Sequence, residues 1–248
     1  MNQPDIYSEL RGKKIILPGD LRSEHYPDLS VSMLRISSLD FLDPRFNEIL
    51  NLNLDNDQGY LGNITHDQAL KLNRALNKHT LSVRYANDLL YFLYLINDGK
   101  KKAFDENGNS LDSRVTNWLL HDMVERRVPY RAEFFSDRYI LKNDVFSVIY
   151  ERAIDDGTVR ETVEQLDEDT LMQSFAKINF EDWVNSPTSQ GLPRKNIRAG
   201  DLSYYSPTDN SVAWLGAGAG GLILDCNWGP LGSSSGLGMR NFEIKSTI

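Results

Sequence analysis

Gly216-Ala217-Gly218-Ala219-Gly220-Gly221 follows the apolar run Val212-Ala213-Trp214-Leu215 and satisfies G-x-G-x-x-G. That spacing holds a pyrophosphate when the last glycines open a helix whose first amides point at the phosphates. Here the residues that follow are LILDCNW, and Gly229-Pro230 stops any helix within eight residues of Gly221. Gly232 to Gly236 (GSSSG) prevents a restart, and no helix separates Glu243 from the turn to make it a ribose partner. The nucleotide reading fails on the chemistry it needs.

Other reactive types are scattered. His25, His66, His79 and His121 show no H-x-x-x-H pairing, so they are expected on helix surfaces or at caps rather than on a metal. Cys226 is the only cysteine, which excludes an internal disulfide and a cysteine zinc cluster. It sits at an apolar position, as a small buried hydrophobe does. Asp155-Asp156 and Asp167-Glu168-Asp169 lie in charged runs without a pairing that suggests acid–base catalysis. Gln3-Pro4-Asp5 matches a sugar-selecting calcium triplet in type but lacks a Trp-Asn-Asp partner, and Asp105 to Asn109 has the make-up of a turn rather than a calcium loop. No cofactor or metal is expected.

Composition narrows the partners. A net charge of -8 and a pI near 5.1 argue against a nucleic-acid surface. The N-terminus has no apolar signal core, and no apolar run approaches the ~20 residues that span a bilayer. The expectation is a chain without membrane insertion, cytoplasmic or virion-associated.

The elements that must position the glycine stretch are legible in part. KKIILP (13–18) reads as a short strand. Thr65-His66-Asp67-Gln68 is a capping box, and Ala69, Leu72, Ala75 and Leu76 continue at helical spacing over 66–78. A second helix starts near Ser82 and carries Val83, Ala86, Leu89, Leu90, Leu93 and Ile96 to the Asn97-Asp98-Gly99 stop; a third spans about 112–126. Leu39 to Leu54, broken by Pro44, is a helix turn plus loop. Residues 138–154 are either a strand or a short helix, 161–175 an acidic helix, and 181–185 a helix turn around Trp183.

From Ser186 the texture changes. Eight of the 17 glycines lie in 216–238, interleaved with Trp214, Leu222, Leu224, Trp228 and Leu237. Strand alternation puts Ala213, Leu215, Ala217 and Ala219 on one face and Trp214, Gly216, Gly218 and Gly220 on the other. After Gly220-Gly221 the phase slips: Leu222, Leu224 and Cys226 are apolar, and Ile223, Asp225 and Asn227 face away. The Gly-Gly step therefore reads as the turn or bulge of a hairpin with one packed face and one small, heterogeneous face that leaves Trp214 exposed.

Ser211-Val212-Ala213, Ala217, Leu224, Cys226, Trp228, Pro230, Leu237-Gly238 and Met239-Arg240 together resemble the variable region of diversity-generating retroelement target proteins, with Met239 in place of the expected valine. Leu81-Ser82-Val83-Arg84, Gly191-Leu192-Pro193-Arg194 and Gly200 to Tyr205 are similar to the lead-in of the same family. The resemblance implies an α+β, C-type lectin-like fold of the formylglycine-generating-enzyme type over 51–248, with 1–50 an N-terminal extension packed on it. It implies a non-enzymatic protein that displays a diversified surface at about 211–240 to a protein or glycan ligand. The implied ligand-binding positions are Trp214, Gly216, Gly218, Gly220, Ile223, Asp225, Asn227, Trp228, Gly229, Leu231, Gly232, Ser233, Ser234, Ser235 and Gly236. Ala213, Leu215, Ala217, Leu222, Leu224, Cys226, Pro230 and Leu237 would be the constant scaffold. Trp214 and Trp228 are the natural anchors, with Trp228 equally suited to the core. The alternative is an enzyme of the same fold with a cleft near Trp118 and Trp183.

Overall fold

The computed structural model describes residues 6–23, 25–36, 61–126 and 130–245. Gln3-Pro4-Asp5 and the expected helix turn at 39–54 lie outside the described residues. The fold is α+β.

Two sheets carry it. The smaller has the order β1-β2-β12-β3, from β1 (Lys14–Leu17), β2 (Leu29–Ser32), β3 (His79–Thr80) and β12 (Asn241–Ile244). Phe242 of β12 pairs with Val31 of β2 and with His79 of β3, so chain from both ends of the sequence closes one sheet. Strands β1 and β2 thus share a sheet with β12 and β3.

The larger sheet has the order β6-β5-β4-β9-β10-β8-β7. Its strands are β4 (Arg131–Lys142), β5 (Val145–Ala153), β6 (Val159–Gln165), β7 (Ala176–Ile178), β8 (Leu202–Tyr205), β9 (Ser211–Gly218) and β10 (Gly221–Trp228). A further strand, β11 (Leu237–Met239), runs parallel to β4. Where 138–154 read as strand or helix, it is the end of β4, a turn at Asn143-Asp144 with both residues at positive φ, and β5.

The expected acidic helix at 161–175 is instead β6 followed by irregular chain held by a Thr170–Arg194 bridge. Val159, Thr162 and Val163 fit a pleated surface better than a helix, where their branched side chains crowd the preceding turn.

Among the described residues five helices pack on this frame: the short α1 (Ile6–Leu10), α2 (His66–Ala75), α3 (Val83–Asn97), α4 (Ser113–Val124) and α5 (Phe180–Asn185). The capping box is present at α2: Thr65 Oγ1 accepts the Gln68 amide and Gln68 Oε1 accepts the Thr65 amide. Ser82 and Asp112 cap α3 and α4. Helix α3 is buried over Val83 to Leu90 and again at Phe92 and Leu93, and its buried side chains join the main core with Phe135, Tyr139, Leu215, Leu224 and Cys226.

A second, smaller core lies on the opposite face of the large sheet. Ala132, Phe134, Val212, Trp214, Leu237 and Met239 pack there against Ile36, Leu61, Ile64, Ala69 and Leu72. The central strands are therefore covered on both faces.

Four chain segments meet at Arg240, which is fully buried. Its guanidinium donates to Glu133 Oε1 (2.7 Å) and Oε2 (3.1 Å), Asp122 Oδ2 (3.1 Å), the Ser32 carbonyl (2.9 Å) and the Met33 carbonyl. Arg131 donates to the other Asp122 oxygen at 2.8 Å. Burying such charges is tolerable because nearly every donor has an acceptor.

Candidate functional site: the β9–β10 hairpin and the 229–236 loop

β9 and β10 form the expected hairpin, but its turn is Ala219-Gly220. Gly218 pairs with Gly221, Ala217 with Leu222, Gly216 with Ile223, Leu215 with Leu224 and Trp214 with Asp225. A two-residue turn inverts the alternation by itself, so the phase slip needs no bulge at Gly220-Gly221. Gly221 does take a positive φ, 113°. The bulge lies further along: between Asp225 and Trp228 the register shifts, and Trp228 pairs with Val212. This returns Trp228 to the face that carries Trp214.

The scaffold face is as the alternation predicts except at Ala219, which is exposed in the turn. Ala213, Leu215, Leu224 and Cys226 sit in the main core, with Leu222 packed against it. Burial raises the Cys226 thiol pKa well above its ordinary value, the pattern of an inert packing thiol rather than a nucleophile.

The opposite face departs from the expectation. Trp214 was expected to be exposed; it is 5% exposed, because the second core covers the middle of that face. Gly216 has a steric role: a β-carbon there would lie 2.5 Å from Ala132 Cβ and 2.7 Å from the Arg131 carbonyl oxygen. Gly236 is similarly confined by Tyr130, with the Tyr130 carbonyl oxygen 2.6 Å from its virtual β-carbon, and Gly232 by the Trp228 indole at 2.4 Å. At Gly218 the closest approach is Tyr130 Cβ at 3.0 Å. Close approach of neighbouring groups explains Gly216, Gly232 and Gly236 and crowds Gly218, all four of which the family resemblance put in the ligand set.

What remains is open. Gly220 and Gly229 have no neighbour within 4 Å of a virtual β-carbon. Asn227, Ser233 and Ser235 are exposed, Leu231 is 82% exposed, and Ile223, Asp225, Trp228 and Ser234 are half-buried. The loop is pinned by its backbone: the Ser234 carbonyl accepts the amides of Asn63 and Leu237, and the Gly236 carbonyl accepts those of Ala132 and the Arg35 guanidinium. Anchored main chain with outward side chains leaves the side chains free to differ.

An aromatic group forms the floor. Trp214 and Trp228 meet edge to face, centroids 5.9 Å apart at 90°, and Tyr130 lies 6.3 Å from Trp214. The indole N–H groups of both tryptophans are buried without a hydrogen-bond acceptor, although buried donors are normally paired. Around them stand Asp225, whose pKa burial raises, and Asn227, whose amide donates to Asp225 Oδ1 at 2.7 Å. The Asn227 side chain meets Thr208. Tyr130 and Thr208 belong to this surface but carry no sequence signal, since they arrive from the lead into β4 and the loop before β9.

The other reactive types have structural roles. His66 is buried rather than at a surface: its Nε2–H donates to the Phe135 carbonyl at 2.9 Å, and burial lowers its pKa to about 4. Trp183 is fully buried and donates to the Gly191 carbonyl at 2.7 Å, so it lines no cleft. Beside it, a cleft of about 440 Å³ is lined by Arg22, Arg84, Asp88, Thr188 and Arg194 among others. There Arg22 binds Asp88 at 2.5 Å together with Asn87 and two backbone carbonyls, and Arg194 binds Asp169 and the Pro187 carbonyl. Asp105 caps a turn by accepting the amides of Asn107 and Asn109. No described helix is long and apolar enough to cross a membrane.

No family model, curated protein or solved structure matches the chain.

Proposed function

We propose that the chain is a non-enzymatic binding protein of the C-type lectin-like, diversity-generating retroelement type, which displays a ligand surface on the β10 side of its C-terminal hairpin. The displayed positions are Gly220, Ile223, Asp225, Asn227, Gly229, Leu231, Ser233, Ser234 and Ser235, arranged around Trp228. Gly216, Gly218, Gly232, Gly236 and Trp214 belong to the support.

One observation carries the reading. The half-buried Trp228 rests edge to face on Trp214 in an aromatic floor ringed by small or polar side chains on a backbone anchored from below. Aromatic anchors with open polar surroundings are what a recognition surface uses. The pairing of β2 with β12 and the placement of α2 and α3 also suit the lectin-like topology.

Randomising Gly220, Ile223, Asp225, Asn227, Gly229, Leu231, Ser233 and Ser235 together, and selecting the displayed library against protein and glycan panels, tests the proposal. Most clones should remain folded and several should bind specifically. A library in which most clones lose the fold, or in which no folded clone binds either panel, would count against it.

A further inference from the structure

We propose that two copies of the chain associate by pairing their β6 strands antiparallel about a two-fold axis through Thr162, which joins their large sheets edge to edge. Among the described residues β6 pairs only with β5, so it forms one edge of that sheet. The direction of its unused hydrogen-bonding groups follows from two bonds. Ile154 N–H donates to the Thr158 carbonyl at 2.8 Å, and Leu166 N–H to the Phe146 carbonyl at 3.0 Å. Both belong to the register that pairs Arg152 with Arg160 and Val148 with Glu164. Bonded pairs alternate along an antiparallel ladder, so even-numbered residues of β6 bond to β5. Val159, Glu161, Val163 and Gln165 therefore point their amides and carbonyls at the open edge.

The side chains select one register. In a pair centred on Thr162, Glu161 of each copy faces Val163 of the other, and both residues carry outward backbone groups, as a bonded pair requires. Arg160 of each copy then lies opposite Glu164 of the other, and this arrangement occurs twice by symmetry. A shift that centres the axis on Glu161 would face Glu161 with itself, and one centred on Val163 would leave Arg160 without Glu164. Opposite charges facing across strands stabilise a pair and like charges oppose it.

The edge can accept such a partner. Val163 is 61% exposed, an unusual place for a large branched side chain, and in this register it lies diagonal to its own copy. Glu164 accepts Tyr150 OH and Arg152 Nη1 through Oε1, so neither bond uses Oε2. Edge strands that avoid association commonly carry charges, lysine above all, proline or a bulge; β6 (VRETVEQ) has no lysine, proline or bulge, and two of its three charges, Arg160 and Glu164, face opposite charge in this register. A single seven-residue strand pair covers less than a standard interface, which puts the dimer in the weak class.

The register is tested by cysteine trapping, because the native Cys226 is fully buried. Thr162→Cys should give a covalent dimer under mild oxidation. Gln165→Cys should not, since two copies of residue 165 would stand about 20 Å apart at ~3.4 Å per residue. Sedimentation at tens to hundreds of micromolar protein should show a concentration-dependent dimer of the unaltered chain. Val163→Pro should abolish it while keeping the β5–β6 ladder, because only an outward N–H is lost. Arg160→Glu should weaken it about tenfold, and Arg160→Glu with Glu164→Arg should restore it. A chain monomeric throughout that range, a Val163→Pro variant that still dimerises, or equal trapping at 162 and 165 would overturn the proposal.

Discussion

Gly216 and Ala132 face each other across β9 and β4 so closely that a β-carbon on residue 216 would come within 2.5 Å of the alanine's own. Two backbone strands, rather than a ligand, account for that glycine. Gly220, four residues on and also in the glycine run, has open space around it. Serine at 216 should cost about 1–3 kcal/mol from overpacking, whereas serine at 220 should change stability by less than about 0.5 kcal/mol. Denaturant titration of the two variants checks this; equal losses would mean that the whole run is constrained.

Trp214 and the exposed Leu231 should separate in the same way. Trp214→Ala should lose about 3–5 kcal/mol, as truncation of a large buried aromatic does. Leu231→Ala should leave stability within about 0.5 kcal/mol, because Leu231 is 82% exposed. Thermal unfolding followed by near-ultraviolet circular dichroism reads both. A Leu231→Ala loss as large as that of Trp214→Ala would place the loop in the core.

Arg240 binds Glu133, Asp122 and the backbone of β2 and the residue after it with no exposure to water. Removing it takes the guanidinium from the buried Glu133 carboxylate and leaves Asp122 with Arg131 alone, so Arg240→Ala should destabilise by about 3–5 kcal/mol. Arg240→Lys should recover little, since an ammonium cannot reproduce the paired contacts to Glu133. Equilibrium unfolding of both variants measures the difference, and near-complete rescue by lysine would contradict the paired-geometry account.

Two buried groups on or against β4 give opposite pH dependences. Burial raises Asp137 to about 7, so between its ordinary value near 3.8 and pH 7 the folded chain holds more protons than the unfolded, and stability falls as pH rises. Burial lowers His66 to about 4, so between pH 4 and 6.5 the folded chain holds fewer protons, and stability falls as pH drops. In the shared window the two slopes, each at most about 1.4 kcal/mol per pH unit, oppose each other. Asp137→Asn keeps an acceptor for the Val83 amide, which Asp137 bonds at 2.8 Å. That variant should lose stability on acidification from pH 6.5 to 4 more steeply than the unaltered chain. His66→Gln should instead lose stability as pH rises from 4 to 7. Parallel pH profiles for all three proteins would refute the assignment.

The sequence carried local information well and layer information poorly. The Thr65–Gln68 capping box, the Ser82 start of α3 and the buried face Ala213, Leu215, Leu224 and Cys226 were readable because caps and strand alternation are short-range. Trp214 was misplaced because alternation says which residues share a face, not whether that face meets water; residues 61–72 and β11 cover it from far along the chain. Acidic composition made 161–175 look helical, although the β-branched residues Val159, Thr162 and Val163 pointed to the strand. The constraint on Gly216 comes from Ala132, more than eighty positions away in sequence, and no local pattern encodes it. Tyr130 joins the aromatic floor for the same long-range reason.

If a diversified surface sits on an unchanging hairpin, the DNA that flanks the coding region holds the record of it, and sequencing that DNA is the decisive measurement. A near-copy of the segment encoding residues 211–240 should lie there, close to a reverse transcriptase gene. The differences should be confined to template adenines and concentrated in the codons for Gly220, Ile223, Asp225, Asn227, Gly229, Leu231 and Ser233 to Ser235. The codons for Ala213, Leu215, Gly216, Ala217, Leu224 and Cys226 should be identical in the two copies. Absence of any such copy, or differences that fall as often in the buried codons as in the exposed ones, would contradict it.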